Sequence, residues 1–340
     1  MPDNNDVGQS IKSVDEIQVF GFGDPEPVME ASDIMSMFES YYNQKWYEPP
    51  ISLDGLAKSF RANIHHSSAI NLKVNILGSC YIPHKYLSLS AFKRFALDFL
   101  TFGNGYLEKV NSRLGNTLAL KPSPAKFTRV GKNGRFFFVE SWAKEHEFKT
   151  DQVFHLMEPD VNQEIYGVPQ YLASLQSAWL NEAATLFRRK YHKNGSHAGY
   201  ILYMSDAAAK TEDVDAMRQA LKNSKGPGNF KNLFMYAPNG KKDGLQVIPI
   251  SEVAAKDEFF NIKNVTRDDV LAGHRVPPQL MGVVPANAGG FGDIEKAATV
   301  FSRNELQPLM DTFRELNTWL GVEVVKFKPY QLAAPDKATA

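Results

Sequence analysis

Two long amphipathic stretches with a small mixed segment between them constrain this chain more than any motif in it. The first begins at Gly167-Val168-Pro169, since a proline is tolerated in an opening helical turn. It places Leu172, Leu175, Trp179, Ala183 and Leu186 at three- and four-residue steps, with Leu180 and Phe187 as a second stripe beside that seam. Arg188, Arg189, Lys190 and Lys193 fill the last turns, where cations complement the negative helix end, and Asn194-Gly195 supplies the stop. A helix over 167–194 reaches about 40 Å at roughly 1.5 Å per residue, which is long for a globular domain. The second stretch follows Pro249, with Ser251 as its N-cap. Val253, Phe259, Phe260, Ile262, Val265, Val270 and Leu271 are its apolar positions. Lys256, Asp257, Glu258, Lys263, Arg267, Asp268 and Asp269 cover the remainder. It ends at His274-Arg275-Val276-Pro277-Pro278, because a residue before proline is driven out of the helical region. The segment between, 195–250, is too small to hold a core of its own, so cover for these stripes is expected from neighbouring copies of the chain.

The rest reads as an α+β protein. Residues 1–27 are rich in Asp, Asn, Gly and Pro and read as a disordered arm. Ser32 to Gln44 carries Ile34, Met35, Met37 and Phe38 and suits a short helix. Pro49-Pro50 breaks the chain, and Leu53, Leu56, Ala57, Phe60, Ile64 and Ala69 then give one helical spacing up to Cys80, capped by Ser52 or Asp54. A helix from Ser90 buries Phe92, Phe95, Ala96, Phe99 and Leu100, and Gly103 closes it as a left-handed cap. Strands follow at Tyr106–Val110, Thr117–Leu120, Phe127–Val130, Arg135–Val139 and Gln152–Met157, with turns at Gly115-Asn116 and Gly131–Gly134.

Inside 195–250, Tyr200–Tyr203 reads as a strand and Thr211 caps a short helix with Val214, Met217 and Leu221. Leu233–Tyr236 and Leu245–Ile250 read as a hairpin. Beyond the Gly-rich stretch, Glu295–Leu320 reads as a helix burying Phe301, Leu306, Leu309, Phe313, Leu316 and Leu320, kinked or broken at Pro308. Val322–Phe327 reads as a returning strand and 333–340 as a loose tail.

Charge and motifs exclude several functions. Lysine plus arginine number 38 and aspartate plus glutamate also 38, a balance unlike that of a tight nucleic-acid clamp but compatible with a conduit. Cys80 is the single cysteine, so no intrachain disulfide and no cysteine-built zinc site can form. No apolar run reaches the length of a membrane span, and the N-terminus lacks a secretion signal. The loop 283–294 lacks the lysine and hydroxyl of a P-loop, and its Gly289, Gly290 and Gly292 do not follow a strand as a dinucleotide fingerprint requires. His65 and His66 are adjacent and point to different helix faces, whereas two ligands on one helix want a four-residue step. These two read as surface or packed histidines, and His84, His146, His155, His192, His197 and His274, which show no ligand spacing, as scattered polar and surface ones. The cations Arg188, Arg189, Lys190 and Lys193 either compensate the helix end or face DNA phosphates or a neighbour's acids. Lys256, Lys263 and Arg267 are comparable, interleaved with acids.

The order of long helix, α+β insert, helix, Val276-Pro277-Pro278-Gln279-Leu280-Met281-Gly282, Gly-rich loop and helix resembles the portal proteins of tailed bacteriophages, specifically the PBSX-type family. Tyr47-Glu48-Pro49-Pro50-Ile51, Ala62 to Ala69 and Phe102-Gly103-Asn104-Gly105-Tyr106-Leu107-Glu108 extend the resemblance, which spans Trp46 to Leu332. It implies the α+β portal fold: a wing over 28–166, a stem of two helices over 167–194 and 251–276, and a clip over 195–250. A tunnel-loop region over 277–294, a tunnel or crown helix over 295–320 and a wing return over 321–332 complete it. Asn287, Gly289, Gly290 and Phe291 would then form the tunnel loop toward DNA, and Lys225, Asn229, Lys241 and Lys242 the clip surface. The resemblance further implies a homo-oligomeric ring of about twelve subunits at one capsid vertex, assembled in the host bacterial cytoplasm. Double-stranded DNA passes through the ring. Terminase, a head-completion protein, and the major capsid and scaffolding proteins are its partners, with no membrane, cofactor or catalysis of its own. Two other readings stay open from the residues alone: a nucleotide-binding enzyme using 283–294, and a monomeric helical adaptor.

Overall fold

A computed structural model describes residues 40–141, 144–193, 200–204, 245–249, 253–283 and 293–332. Its body is built on three helices and two three-stranded sheets. Helix α1 (Leu53–Ser59) starts where the Ser52 side chain accepts from the Gly55 amide. The expected continuous helix to Cys80 is broken: α2 (Ile64–Cys80) starts afresh, because the Asn63 carboxamide accepts from the amides of His65 and His66. Ile64 therefore lies exposed rather than buried. Helix α3 (Leu89–Phe102) is capped by Ser88 and closed by Gly103 at φ 69°, the left-handed cap its sequence predicts.

Strands β1 (Asn104–Asn111), β2 (Thr117–Ser123) and β6 (Val153–Met157) form one antiparallel sheet in the order β2-β1-β6. Strands β3 (Thr128–Val130), β4 (Phe136–Ser141) and β5 (Lys144–Glu147) form the other in chain order. The sequence gives no sign of β5. All four of its residues are exposed and three are charged, so no apolar alternation marks it.

The aromatic face of α3 makes the main core. Phe92, Phe95 and Phe99 meet Phe313 edge-on at centroid distances of 5.4, 5.5 and 5.3 Å, and Leu107, Leu156, Leu306 and Leu316 close around them. Phe313 belongs to the expected helix over 295–320, which is three helices and a π-turn. Helix α6 (Ile294–Phe301) runs into a π-turn (Ser302–Leu306), then α7 (Gln307–Phe313) and α8 (Glu315–Leu320). The deformation lies next to Pro308, as expected, since a proline brings no N–H to the turn before it. The apolar side assigned from sequence is buried at Phe301, Leu306, Leu309, Phe313 and Leu316.

Residues 322–327 do not form a strand. The Asn317 side chain accepts from the Val324 and Val325 amides and donates to the Val325 carbonyl, occupying the groups a ladder would use. A single bridge, Tyr81 to Phe327, returns the chain to the body. Residues 40–44 carry a bridge from Tyr42 to Tyr47 in place of the end of the expected short helix.

The two long helices are α4 (Leu175–Lys193) and α5 (Val253–Gly273). Helix α4 starts later than Gly167-Val168-Pro169 predicts. The Asn104 carboxamide donates to the Gly167 carbonyl and accepts from its amide, both at 2.8 Å, and so pins this stretch. A Cβ on Gly167 would strike the Gly103 carbonyl, so the two backbones touch. Only after a 3-10 turn (Leu172–Ser174) does the α-helix begin. Its 19 residues span about 28 Å instead of the expected 40. Beyond the long helices, strands β7 (Tyr200–Met204) and β8 (Leu245–Pro249) pair antiparallel. The expected partner of β8, 233–236, lies outside the described residues.

Candidate functional site

Helices α4 and α5 pack antiparallel, and the residues between them are not those the periodicity selects. The buried face of α4 is Leu175, Ala178, Asn181 and Ala184, at three-residue steps. Asn181 donates to the Thr266 hydroxyl at 2.7 Å and to the Lys263 carbonyl at 3.1 Å. Ser177 donates to Asp269 at 3.0 Å, and Lys263 donates to the Thr185 hydroxyl at 2.9 Å. Alanine lets the two backbones approach, and each buried polar group has a partner. The predicted seam is thus rotated. Ala183 is exposed, Trp179 and Leu186 are half-buried, Leu180 is 50% exposed and Val265 is 59% exposed. Ala-x-x-Asn-x-x-Ala facing a threonine was the available signal, and apolar counting passes over it.

The rotation leaves an apolar groove on the outer face of the pair. Ser177, Leu180, Ile262, Val265, Thr266 and Asp269 line a space of about 470 Å³. No element among the described residues fills it.

The cationic candidates divide. Arg188 and Arg189 stand exposed on the last turns of α4. Arg267 is turned inward, its side chain 15% exposed, donating to Asp268 at 2.8 Å and to Asn264 at 3.4 Å. Partial burial, and then the Arg188 charge, push the Lys263 ammonium down. His65 faces the same cations: burial first, then Arg267 and Lys263, lower its pKa. Lys190 and Lys193 ride on α4 and Lys256 on α5, with side chains outside the described part of the structure. Asn287, Gly289, Gly290 and Phe291, and likewise Lys225, Asn229, Lys241 and Lys242, lie outside the described residues.

At the base of the pair, where α5 ends, the structure buries a polar cluster. Lys73 of α2 donates to Glu305 of the π-turn at 2.5 Å, with side-chain exposures of 6% and 5%. Arg275 reaches the other Glu305 oxygen at 3.5 Å. Burial pushes the Lys73 ammonium down, and Glu305 opposes that shift. Breaking such a pair by removing one partner costs about 3–5 kcal/mol, because the survivor is stranded. Beside it, His66 Nδ1 and His274 Nε2 lie 2.8 Å apart, with both residues buried. The Tyr171 ring packs on each imidazole, and its hydroxyl donates to the Thr101 carbonyl. His66 is packed, one of the two readings its sequence allows, and the reading of His274 as a scattered surface histidine is corrected. His155, expected among the surface histidines, is instead half-buried, stacked on Tyr106 at 4.3 Å and hydrogen-bonded to Asn104. Only 30 Å³ of free space remains at the base, among Lys73, Glu158, Tyr171, His274 and Glu305, too little for a ligand.

Among the described residues, no cluster of His, Cys, Asp or Glu could hold a metal ion, and no helix is long and apolar enough to cross a membrane. The described geometry comprises a buried polar base, a pair of rods with an uncovered apolar flank, and exposed arginines on the last turns of α4.

Comparison with known proteins accords with this. The sequence profile described as "Phage portal protein" matches residues 83–340. The chain is 55% identical over 318 residues to the "Probable portal protein" of Escherichia phage P2, covering 93% of this chain and 92% of that one. It is 34% identical over 284 residues to the "Probable portal protein" of Haemophilus phage HP1, covering 82% of each. Among solved structures, an HK97 family phage portal protein from Corynebacterium diphtheriae superposes with a TM-score of 0.60 at 14% identity, over 80% of this chain and 94% of that one. A chain of the neck of a native gene transfer agent particle, computed with C12 symmetry, gives 0.59 at 17% identity over 92% and 88%. At such identities the likeness concerns the fold, which is that of the portal proteins.

Proposed function

The chain belongs to the phage portal protein family, and from that membership we propose that it closes into a homo-oligomeric ring at one capsid vertex, a passage for double-stranded DNA. The observation that carries this reading is the uncovered flank of the long-helix pair. Leu180 and Val265 stand out beside a groove that no described element fills, and a neighbouring copy in a cyclic, head-to-tail arrangement supplies the missing cover. Twelve copies is the count carried from the family resemblance.

In this reading α4 and α5 are the stem, the body that includes α1–α3 and both sheets is the wing, and α6–α8 form the tunnel and crown helix. Segment 195–250 is the clip. It presents Lys225, Asn229, Lys241 and Lys242 to the terminase and later to the head-completion protein. The loop with Asn287, Gly289, Gly290 and Phe291 is the tunnel loop. Of the stem cations whose side chains are described, Arg188 and Arg189 are exposed and can meet phosphates. Lys263 and Arg267 are engaged within the chain. A chain with as many acids as bases tracks DNA without holding it tightly. Capsid and scaffolding proteins surround the ring in the assembling virion, and packaging ATP is hydrolysed on the terminase, a separate chain.

Negative-stain images and solution mass test the reading. The purified chain gives rings with a central hole. The double variant Leu180→Asp, Val265→Asp keeps the helical circular dichroism but stays monomeric, because burying two carboxylates in the contact is unfavourable. Wild-type protein that remains a monomer under every assembly condition would overturn the ring.

A further inference from the structure

The buried imidazoles at the base of α5 have no part in the reading above. His66 lies on α2, and His274 is the residue after the last turn of α5. Their nitrogens are at hydrogen-bond distance, 2.8 Å. One ring donates and the other accepts, so the contact requires a lone pair on one facing nitrogen. Neither residue is solvated: His66 is 0% exposed and His274 3%.

The surroundings favour uncharged rings. Around His274 lie Lys73 from α2, Glu305 from the π-turn and Glu158 after β6, and Tyr171, just before the first rod, packs on both rings. Glu305 already pairs with both Lys73 and Arg275. The burial of Glu158 raises its pKa, so it loses charge early on acidification. His66 Nε2 has no hydrogen-bond partner among the described residues. An imidazolium at His66 would carry a buried N–H with no acceptor among the described residues, and the Lys73 ammonium disfavours one at His274. A second proton would set two N–H groups face to face.

We propose that the His66–His274 contact is a proton-released latch, which holds the end of α5 to α2 while both rings are neutral and frees it when they gain protons. The junction is tightly packed around the latch. Arg275 follows at φ 54°, a left-handed turn for a residue with a side chain. Gly273 packs so closely on Ser174 that a Cβ would collide with it. Loosening the latch therefore alters how both rods leave the body.

The direction with pH follows from burial, which lowers His66 from 6.5 to about 4 and His274 from 6.5 to about 2. Free imidazole takes a proton as pH falls through 6.5 and the buried rings do not, so the latch loses stability from about pH 6.5 down toward pH 4 and below.

Hydrogen exchange on the full-length assembled chain tests this, with exchange times corrected for the intrinsic pH dependence. Between pH 7 and pH 4.5, amides over 266–276 should exchange roughly tenfold faster, while those of the α3 core over 92–102 keep their protection. His66→Gln and His274→Gln each keep a neutral hydrogen-bonding side chain, and either one that folds should abolish most of that acceleration. Three results would overturn the latch: no acceleration in the wild type, the same acceleration in both variants, or a simultaneous loss in every peptide.

Discussion

The body and the long-helix pair are stabilised by opposite chemistries. The body buries aromatic rings against one another, with Phe92, Phe95, Phe99 and Phe313 within 5.5 Å centroid contacts. The pair buries alanine and asparagine and turns Leu180 and Val265 outward. Non-directional burial tolerates small shifts in position. A hydrogen-bonded seam such as Asn181 to Thr266 and Lys263 fixes register instead. The body is thus complete as one chain. The pair has its register set internally, while its apolar flank stays uncovered among the described residues.

This contrast can be broken most decisively at Phe313. Phe313→Ala should lower the unfolding free energy by about 3–5 kcal/mol in chemical denaturation, since the ring is fully buried among three others. A loss below about 1 kcal/mol would mean that the body is not the self-sufficient half.

A smaller effect is expected at the seam. Asn181→Ala should cost about 1–2 kcal/mol by leaving the buried Thr266 hydroxyl and Lys263 carbonyl without their donor. Hydrogen exchange should place the loss in α4 and α5 and leave α3 unchanged. Equal deprotection of α3 would erase the distinction between the two regions.

The smallest effect sharpens the comparison from the body's side. Asp98 accepts the Ala125 amide at 2.9 Å, and burial raises its carboxyl from 3.8 to about 6. The fold disfavours the charged form, so a penalty is present above about pH 6 and fades as pH falls toward 3.8. Asp98→Asn keeps an acceptor oxygen and should raise Tm by a few degrees at pH 7.5, with no gain near pH 4. On acidification this site stabilises the body, whereas the His66–His274 contact weakens. Melting curves in which Asp98→Asn gives the same shift at both pH values would contradict the assignment.

Local signals in the sequence were the legible ones. The Gly103 cap, the Ser52 cap, the aromatic face of α3 and the deformation beside Pro308 all follow from a few neighbouring residues, and each is found. The start of α4 was misplaced because Asn104, far upstream, pins Gly167. The seam was misjudged because apolar periodicity marks Leu180 and Val265 as interior. In these rods, apolar positions can be satisfied by another copy. The polar base was invisible for a different reason: His66 and His274 are 208 positions apart, and Lys73 and Glu305 are 232 apart. No spacing rule spans such distances.

The π-turn at Ser302–Leu306 has a consequence for chain length. The Gln307 amide reaches back to the Ser302 carbonyl, a loop one residue wider than a regular helical turn. Removing a single residue there would tighten the coil and swing everything on one side of it by about 100°. Glu305 would leave Lys73, and Phe301 and Phe313 could no longer face the same interior. The spacing between Phe301 and Phe313 is therefore fixed by count, while at the exposed turn of Gly115 an added Cβ would meet only open space.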